Sequence, residues 1–201
     1  MAERPPVLQA FLDSLHYELE AAKVGPEAKR CIEKVFGALE NPGPSGLNQP
    51  MRLPACMHLA GALDAARAAS TSLGRIASNF AALEPKLTWT RRPKVDGSQS
   101  ANFTDAHANA MIVGPNGHET RDDVWVGVSL LAPHVRYPDH DHSPEEVYLV
   151  LSKGKFQHGD SDWFEPGIGG SFYNTPNVKH AMASGAAPLF AVWCLAPVTA
   201  H

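Results

Sequence analysis

The chain has 201 residues, of which 44% are hydrophobic and 19% are charged, with a formal net charge of −4 at pH 7. A chain of this length can bury a sizeable core and has room for one or two domains. The slight acidity gives no electrostatic reason to expect a nucleic acid or an anionic membrane as a partner.

Neither a targeting signal nor a membrane span is predicted. No apolar run approaches the roughly 20 residues that cross a bilayer, and residues 1–6 lack the apolar centre of a secretion signal. The three cysteines, Cys31, Cys56 and Cys194, are odd in number and widely scattered, which argues against a disulfide framework. We therefore expect a cytoplasmic protein whose cysteines serve in packing.

Residues 1–85 are predicted to be helical. Apolar residues recur at helical spacing in four stretches, which begin near Leu8, Ala28, Cys56 and Leu73. A segment rich in proline and glycine, residues 41–46, separates the second stretch from the third. Four amphipathic helices must bury their apolar faces, so we expect a helical layer that covers one end of the structure that follows.

After Pro85 the hydrophobic pattern changes to a period of two. Runs rich in β-forming residues occupy residues 87–90, 110–113, 124–131, 147–151, 170–173 and 189–195, and turn signals separate them. Many short strands between Gly- and Pro-containing turns favour a sandwich or barrel. We predict a mainly β region over residues 86–201, an eight-to-ten-strand barrel with the helical layer of residues 1–85, and a flat α+β sheet as the alternative.

The segment from His140 to Tyr148 concentrates residue types that bind metals. If it is a strand, alternate side chains share a face, so His140, His142, Glu146 and Tyr148 can converge on one point. His180 could arrive from a neighbouring strand. Imidazoles with a carboxylate and open positions suit iron and other first-row metals, whereas the alternative is a polar loop with chance histidines.

These residues resemble the cupins, small double-stranded β-barrels with metal ligands inside. The first cupin motif, G-x5-H-x-H-x3,4-E-x6-G, is matched by His140, His142 and Glu146. The second, G-x5-P-x-G-x2-H-x3-N, is matched in part by Gly170, Pro176 and His180.

The chain also departs from both motifs. His134 stands in place of the opening glycine of the first motif, and Ser184 stands in place of the closing asparagine of the second. The spacing from Glu146 to Gly154 is one residue longer than usual, and the spacing before His180 is one residue shorter. None of these differences removes a ligand-type residue.

The run from Arg136 to Tyr148, together with the helical N-terminus, resembles the cupin-type dimethylsulfoniopropionate lyases of marine bacteria, in the DddQ branch. The resemblance covers nearly the whole chain and implies cleavage of dimethylsulfoniopropionate (DMSP) to acrylate and dimethyl sulfide. It implies metal ligands at His142, Glu146, Tyr148 and His180, with Tyr137 and His140 lining the pocket. Whether His140 is also a ligand stays open, because generic cupins use the first histidine.

A divalent metal is therefore the expected cofactor. Ligands of mixed nitrogen and oxygen character make Fe²⁺ and Zn²⁺ the leading candidates, with Mn²⁺, Co²⁺ and Ni²⁺ as alternatives. The expected partner is the small substrate alone, in a monomer or homodimer.

The implied elimination needs a base for the proton next to the substrate carboxylate. A metal can lower the pKa of a bound phenol from its ordinary value of about 10, so Tyr148 could act as a phenolate base. Tyr137 is the competing candidate. An aromatic ring would hold the sulfonium cation by cation–π attraction, and of Trp125, Trp163, Tyr173 and Trp193 we assign Trp193 to the substrate site.

Basic side chains near the motif are expected to lie elsewhere. Arg136 and Lys179 could contact the substrate carboxylate, but we expect both on the solvated surface.

Two other functions stay open: an iron cupin dioxygenase acting on a small thiol or organic acid, and a non-catalytic cupin that binds a small molecule. The sequence has no Gly-x-Ser-x-Gly elbow and no glycine motif for nucleotides, which argues against a triad hydrolase and a nucleotide cofactor.

Overall fold

The computed structural model describes residues 3–92 and 95–196. Residues 1–2 of the predicted helical region, and residues 93–94 and 197–201 of the predicted barrel region, lie outside the described residues, so the expectations for them stay predictions.

The N-terminal region is helical, as its periodicity predicts. Its helices are α1 (Pro6–Ala21), α2 (Pro26–Leu39), a 3-10 turn (Pro54–His58) leading into α3 (Leu59–Ala69), and α4 (Thr71–Leu83). Proline occupies the first turn of α1 and of α2, where its missing N–H costs no hydrogen bond. The Ser70 hydroxyl caps α4 by accepting from the backbone N–H of Leu73 at 3.2 Å. A short helix, α5 (Phe103–Ala106), was not predicted.

The rest of the described chain is dominated by eight strands. They are β1 (Trp89–Thr90), β2 (His107–Val113), β3 (Trp125–Leu131), β4 (Glu145–Val150), β5 (Lys155–His158), β6 (Ser171–Asn174), β7 (His180–Ala183) and β8 (Leu189–Ala196). Six of them coincide with predicted runs. Strand β5 is not predicted by the hydrophobic pattern and β7 is indicated only by His180, because both are four residues long and carry polar side chains at alternate or terminal positions.

The strands form two antiparallel sheets. One sheet has six strands in the order β1-β2-β3-β8-β4-β6, and β5 pairs with β7 in the other. Isolated bridges join Arg136 to Ala183 and His140 to His180, which extend the smaller sheet by the segment before β4.

Side-chain alternation divides the six-stranded sheet into two faces. In β4, Tyr148 and Val150 belong to a core cluster that also contains Phe156 of β5 and Met182 of β7. The intervening Val147 and Leu149 belong to a second cluster that includes the N-terminal helices. The inner face therefore looks toward the smaller sheet, and the functional side chains lie between the two sheets.

The helical layer packs on the outer face of the six-stranded sheet, and the expectation that it covers one end of the barrel is wrong. Phe80 of α4 shows the arrangement, since its ring lies 4.9 Å from that of Phe190 in β8 and 5.7 Å from that of Phe11 in α1 (centroid distances). The outer positions of β8 are apolar and fully buried, so they need a hydrophobic layer along the strand. Among the described helices, none is both long and apolar enough to cross a membrane.

All three cysteines are buried and unpaired, as expected for a packing role.

Candidate active site

The side chains from His140 to Tyr148 were expected to share a face if this segment is a strand, but the segment is not one strand. Strand β4 begins at Glu145, and His140 and His142 lie in the loop before it. His140 is held by reciprocal backbone hydrogen bonds with His180, at 3.0 and 2.8 Å. The ligand-type residues still converge, because this loop runs beside β7 and returns toward the inner face of β4.

Three predicted ligands come together: His142, Glu146 and His180. One ligand atom from each lies within 4.8 Å of the other two. The Oε2 atom of Glu146 is 3.4 Å from Nε2 of His142 and 3.3 Å from Nε2 of His180. Among the described residues no other group of three His, Cys, Asp or Glu side chains has this geometry.

The backbone fixes which nitrogen each histidine presents to the cluster. Nδ1 of His142 lies 2.9 Å from the Pro144 carbonyl, and Nδ1 of His180 lies 2.9 Å from the Val178 carbonyl. A carbonyl only accepts, so each Nδ1 carries the proton and donates it. In the neutral rings each Nε2 is then left with a lone pair directed toward Glu146.

These lone pairs have no partner within the described protein. Nε2 of His142 and of His180 are both buried without a hydrogen bond. Two nitrogen lone pairs and a carboxylate oxygen facing one another repel unless a cation lies between them. The donor set fits a divalent metal bound through imidazole nitrogens and a carboxylate oxygen, and the cluster can therefore hold a metal ion.

A proton can partly replace that cation. Desolvation opposes protonation of His142, but the attraction of the protonated ring to the Glu146 carboxylate outweighs it and raises the pKa of His142 above its usual value. Burial alone would raise the pKa of Glu146, yet His142 and His180 together hold it below the usual value. Burial lowers the pKa of His180, although Glu146 acts in the opposite direction. The carboxylate is thus ionised and attracts positive charge to this point.

His140 lies beside the cluster without joining it. Its ring centroid is 4.0 Å from that of His180, and its Nδ1 is fixed by the Pro138 carbonyl at 3.0 Å. Burial lowers the pKa of His140 to about 3, so its ring is neutral at physiological pH. This position agrees with a residue that lines the pocket, and its role as a ligand stays open.

Asn174, which was not predicted as a site residue, binds the Glu146 carboxylate through a hydrogen bond. Its amide nitrogen donates to Oε2 of Glu146 at 2.9 Å, and its carbonyl oxygen lies 2.8 Å from Nδ1 of His158. Such contacts orient a ligand carboxylate and tune its donor strength. The residue stands directly opposite Glu146 in the β4–β6 register, which the sequence could reveal only once that pairing was known.

The cluster opens into a cavity of about 210 Å³ between the sheets. It is smaller than the roughly 300–1,000 Å³ typical of pockets for drug-sized ligands, so it suits a smaller molecule. Its lining contains the remaining predicted site residues and several that were not predicted: Arg92, Asn109, Met111, Trp125, Ser129, Tyr137, His140, His142, Glu146, Tyr148, Met182, Trp193 and Leu195.

Both candidate tyrosines line this cavity. Tyr148 lies on β4 two residues after Glu146, and burial raises its pKa well above the ordinary value, with the Glu146 carboxylate adding to the shift. Tyr137 lies in the segment before β4, and its hydroxyl accepts a hydrogen bond from the Asn109 amide at 2.9 Å. Burial raises the pKa of Tyr137, whereas the charge of Arg92 and the Asn109 hydrogen bond act against that shift.

Two of the four candidate aromatic residues reach the cavity, Trp193 and Trp125. Trp193 stands opposite Tyr148 in the β4–β8 register, and its indole N–H donates to the Ser129 hydroxyl at 3.1 Å. Its ring lies over Gly127, where an added Cβ would come within 2.2 Å of it. Trp163 is 37% exposed and stacks with Arg136, while Tyr173 donates to Glu145.

The basic residues that were weighed as carboxylate contacts lie elsewhere. Arg136 pairs with Asp139 at 2.5 Å, and Lys179 is exposed. The basic side chain that does line the cavity is Arg92, and it follows β1 in an irregular segment, so neither periodicity nor a motif points to it.

The departures from the cupin motifs have local explanations. His134 has a φ of 59°, the left-handed conformation that favours glycine at this position of the motif. The Ser184 hydroxyl donates to the Ala132 carbonyl at 2.6 Å and accepts from the Val135 N–H at 2.9 Å. It thereby ties β7 to the loop that carries His134.

Comparisons with known proteins agree with this architecture. A family model for dimethylsulfoniopropionate lyases matches residues 27–191. The crystal structure of the DMSP lyase DddQ from Ruegeria pomeroyi DSS-3 has a TM-score of 0.69 and 20% identity, and the match covers 98% of this chain and 95% of that one. A structure from the set described as DMSP lyases RdDddP and RnDddQII has a TM-score of 0.74 and 20% identity, covering 96% and 93%.

These structural likenesses show that the chain shares the fold of the two lyase structures, and the prediction of a mainly β barrel with a helical N-terminal layer is confirmed. A curated relative named as a dimethylsulfoniopropionate lyase, DddL of Cereibacter sphaeroides, is 27% identical over 141 residues. The match covers 66% of this chain and 54% of the relative, so the chain spans about half the length of that protein.

Proposed function

Because the chain belongs to the dimethylsulfoniopropionate lyase family, we propose that it cleaves DMSP to acrylate and dimethyl sulfide by metal-dependent β-elimination. The observation that carries the proposal is the cluster of His142, Glu146 and His180 beside a small cavity that His142 and Glu146 help to line. Both histidines present unpartnered Nε2 atoms toward one carboxylate oxygen.

His142, Glu146 and His180 would hold the metal, with Tyr148 as a fourth ligand. When bound there, a divalent ion would supply a Lewis acid that stabilises negative charge developing next to the substrate carboxylate. Imidazole and carboxylate donors favour Fe²⁺ or Zn²⁺, and Mn²⁺, Co²⁺ and Ni²⁺ are compatible with the same set.

Tyr148 is the proposed general base, which takes the proton from the carbon next to the carboxylate. Its support is its place in β4, since it shares the inner face with Glu146 and lines the cavity. Burial, and then the Glu146 charge, raise the pKa of Tyr148 and oppose a phenolate, so Tyr148 becomes a competent base only when a positive charge stabilises that phenolate. Tyr137 is the alternative base, because Asn109 and Arg92 favour its phenolate.

The remaining cavity walls suit a small sulfonium. Trp193 and Trp125 offer aromatic faces, and Met111, Met182 and Leu195 add apolar surface. Cation–π attraction to such rings is worth about 0.5–2 kcal/mol when the site is desolvated. A neutral dimethyl sulfide leaving group would not be held by the same force, which favours product release.

An anaerobic assay of the purified protein with DMSP tests this function. We expect dimethyl sulfide in the headspace and acrylate in solution in equal amounts, without oxygen. A strict requirement for oxygen with an oxidised product would instead support the dioxygenase. Tight binding of DMSP without any turnover would support a non-catalytic cupin.

A further inference from the structure

Arg92 carries a positive charge into the cavity and forms no ion pair with a carboxylate of the described residues. It is the one lysine or arginine among the thirteen described residues that line the space. Its Nε atom is buried without a hydrogen-bond partner among the described residues. Arg92 is half-buried, and its guanidinium carbon lies 5.7 Å from the centre of the Tyr137 ring, a contact that only partly compensates the buried part of this cation.

The neighbouring Arg91 shows the contrast within one dipeptide. Its guanidinium pairs with Asp105 at 2.6 Å and donates to the Thr104 carbonyl at 2.7 Å, on the exposed surface. The two arginines are adjacent in the irregular segment after β1, but of the two only Arg91 forms an ion pair with a described carboxylate.

The backbone at Arg92 is held firmly. Its N–H donates to Nε2 of the buried His107 at 2.8 Å, and Nδ1 of His107 bonds to the Phe103 carbonyl at 2.5 Å. His107 also stacks on Phe103 with a ring separation of 3.6 Å. The guanidinium thus extends into the cavity from a backbone position that hydrogen bonds hold in place, as expected of a preorganised site.

We propose that Arg92 binds the carboxylate of the substrate and so sets its orientation in the cavity. This inference rests on the proposed function, since a DMSP molecule has a carboxylate at one end and a sulfonium at the other. A guanidinium matches a carboxylate through two parallel N–H donors. Each carboxylate oxygen keeps a second lone pair in such a pairing, so the group bound by Arg92 can still face the histidine–glutamate cluster.

The same charge discriminates against molecules that lack the anion. A cation without a carboxylate would be repelled by Arg92 and would leave its donors unpaired, which is a strong basis for selectivity. The ligand class is therefore small acids with an onium group at the far end, rather than onium compounds in general.

Binding of an uncleavable analogue tests the proposal independently of turnover. The probe is 3-(trimethylammonio)propionate, which keeps both charges, and its methyl ester keeps the cation alone. Calorimetric titration of the metal-loaded protein measures the preference for the acid over the ester. Arg92→Gln removes the charge, and Arg91→Gln is the matched control.

We expect Arg92→Gln to reduce the preference for the acid by about 10- to 100-fold. Arg91→Gln should keep the preference of the wild type. Arg92→Lys keeps the charge but loses the two parallel N–H donors, so it should give an intermediate preference. It replaces Arg92→Gln in the test if the glutamine variant does not fold. An unchanged preference in folded Arg92→Gln or in Arg92→Lys would overturn the proposal, as would a wild-type protein that binds acid and ester equally.

The outcomes separate this proposal from the proposed function. Suppose that Arg92→Gln loses the preference for the acid and that the wild-type protein releases no dimethyl sulfide. The carboxylate site would then be retained and the lyase function rejected. Release of dimethyl sulfide by the wild type with no effect of Arg92 on the preference would do the reverse.

Discussion

The two tyrosines that line the cavity differ in the neighbouring groups that could stabilise their phenolate forms, and therefore in how each could act as the general base. Tyr148 lies beside the Glu146 carboxylate, whereas the Tyr137 hydroxyl accepts from Asn109 at 2.9 Å. If Tyr148 takes the proton, Tyr148→Phe should lower kcat by about 10²–10⁴-fold, because the ring remains and the proton-accepting oxygen is lost. Tyr137→Phe should have a smaller effect.

Both variants should be assayed for dimethyl sulfide after saturation with metal, so that weak metal binding is not mistaken for loss of the base. Near-normal turnover in metal-loaded Tyr148→Phe would exclude Tyr148 as the base. A larger loss in Tyr137→Phe would transfer the role to Tyr137.

Metal affinity should fall as the pH is lowered, because a proton on His142 competes with the ion. Glu146 raises the pKa of His142 above its usual value, so the ring gains a proton while the pH is still near neutral. His140, with its pKa lowered to about 3, stays neutral over this interval and adds no such effect. We expect titrations from about pH 8 to about pH 6 to show progressively weaker binding. An affinity that is flat over this interval would contradict the prediction.

At the residue scale, the sequence was most informative where a short motif carries several ligand types. His142, Glu146 and His180 were identified in this way, and their convergence did not require the strand that had been supposed. Arg92, Asn109 and Asn174 were missed because their importance depends on what faces them. The sequence does mark Asn109, because a polar residue at an inward position of an otherwise buried strand indicates a functional site.

At the scale of elements, strand β3 must leave room for the ring of Trp193. Gly127 stands opposite Trp193 in the β3–β8 register, and an added Cβ would lie 2.2 Å from the ring and 2.7 Å from the Ala110 carbonyl. Gly127→Ala should therefore displace the indole into the cavity and weaken substrate binding, with KM raised about tenfold.

Gly37→Ala is the matched control, because an added Cβ at this helical position meets no atom within 4 Å. It should leave KM unchanged and raise stability by about 0.4–1 kcal/mol. A Gly127→Ala protein with the KM of the wild type would show that the Trp193 ring has no part in binding substrate.

The success of sequence reasoning also varied among elements. The long apolar runs of β3 and β8 and the four amphipathic patterns predicted their elements because each buries a continuous face. Strand β5, residues Lys155–His158, is too short to show a period. The position of the helical layer was wrong for a related reason: periodicity identifies a face that must be buried, but not the surface that buries it.

At the scale of the whole molecule, Phe80 joins the helices to the barrel. Its ring is fully buried and lies within 6.2 Å of the rings of Phe11, Trp89 and Phe190, which belong to α1, β1 and β8. Phe80→Ala should lower the free energy of unfolding by about 3–5 kcal/mol, because it opens a cavity between layers. The exposed Arg75→Ala on the same helix should change it by less than about 0.5 kcal/mol.

Denaturant unfolding followed by circular dichroism measures both variants. A single transition, shifted equally in the far-UV signal of the helices and in the near-UV signal of the tryptophans, which all lie after residue 85, would show that helices and barrel unfold together. Loss of the helical signal alone, with the barrel unaffected, would show that the region of residues 1–85 is an independent unit.

The central claim is that a metal held by His142, Glu146 and His180 makes this cavity a lyase. It is tested most directly by adding Fe²⁺ or Zn²⁺ in steps to metal-stripped protein and measuring dimethyl sulfide released from DMSP without oxygen. We expect activity to rise linearly and to reach a plateau at one metal per chain, and His180→Ala to remain metal-free and inactive. Full activity in the stripped protein, or in metal-free His180→Ala, would contradict the account.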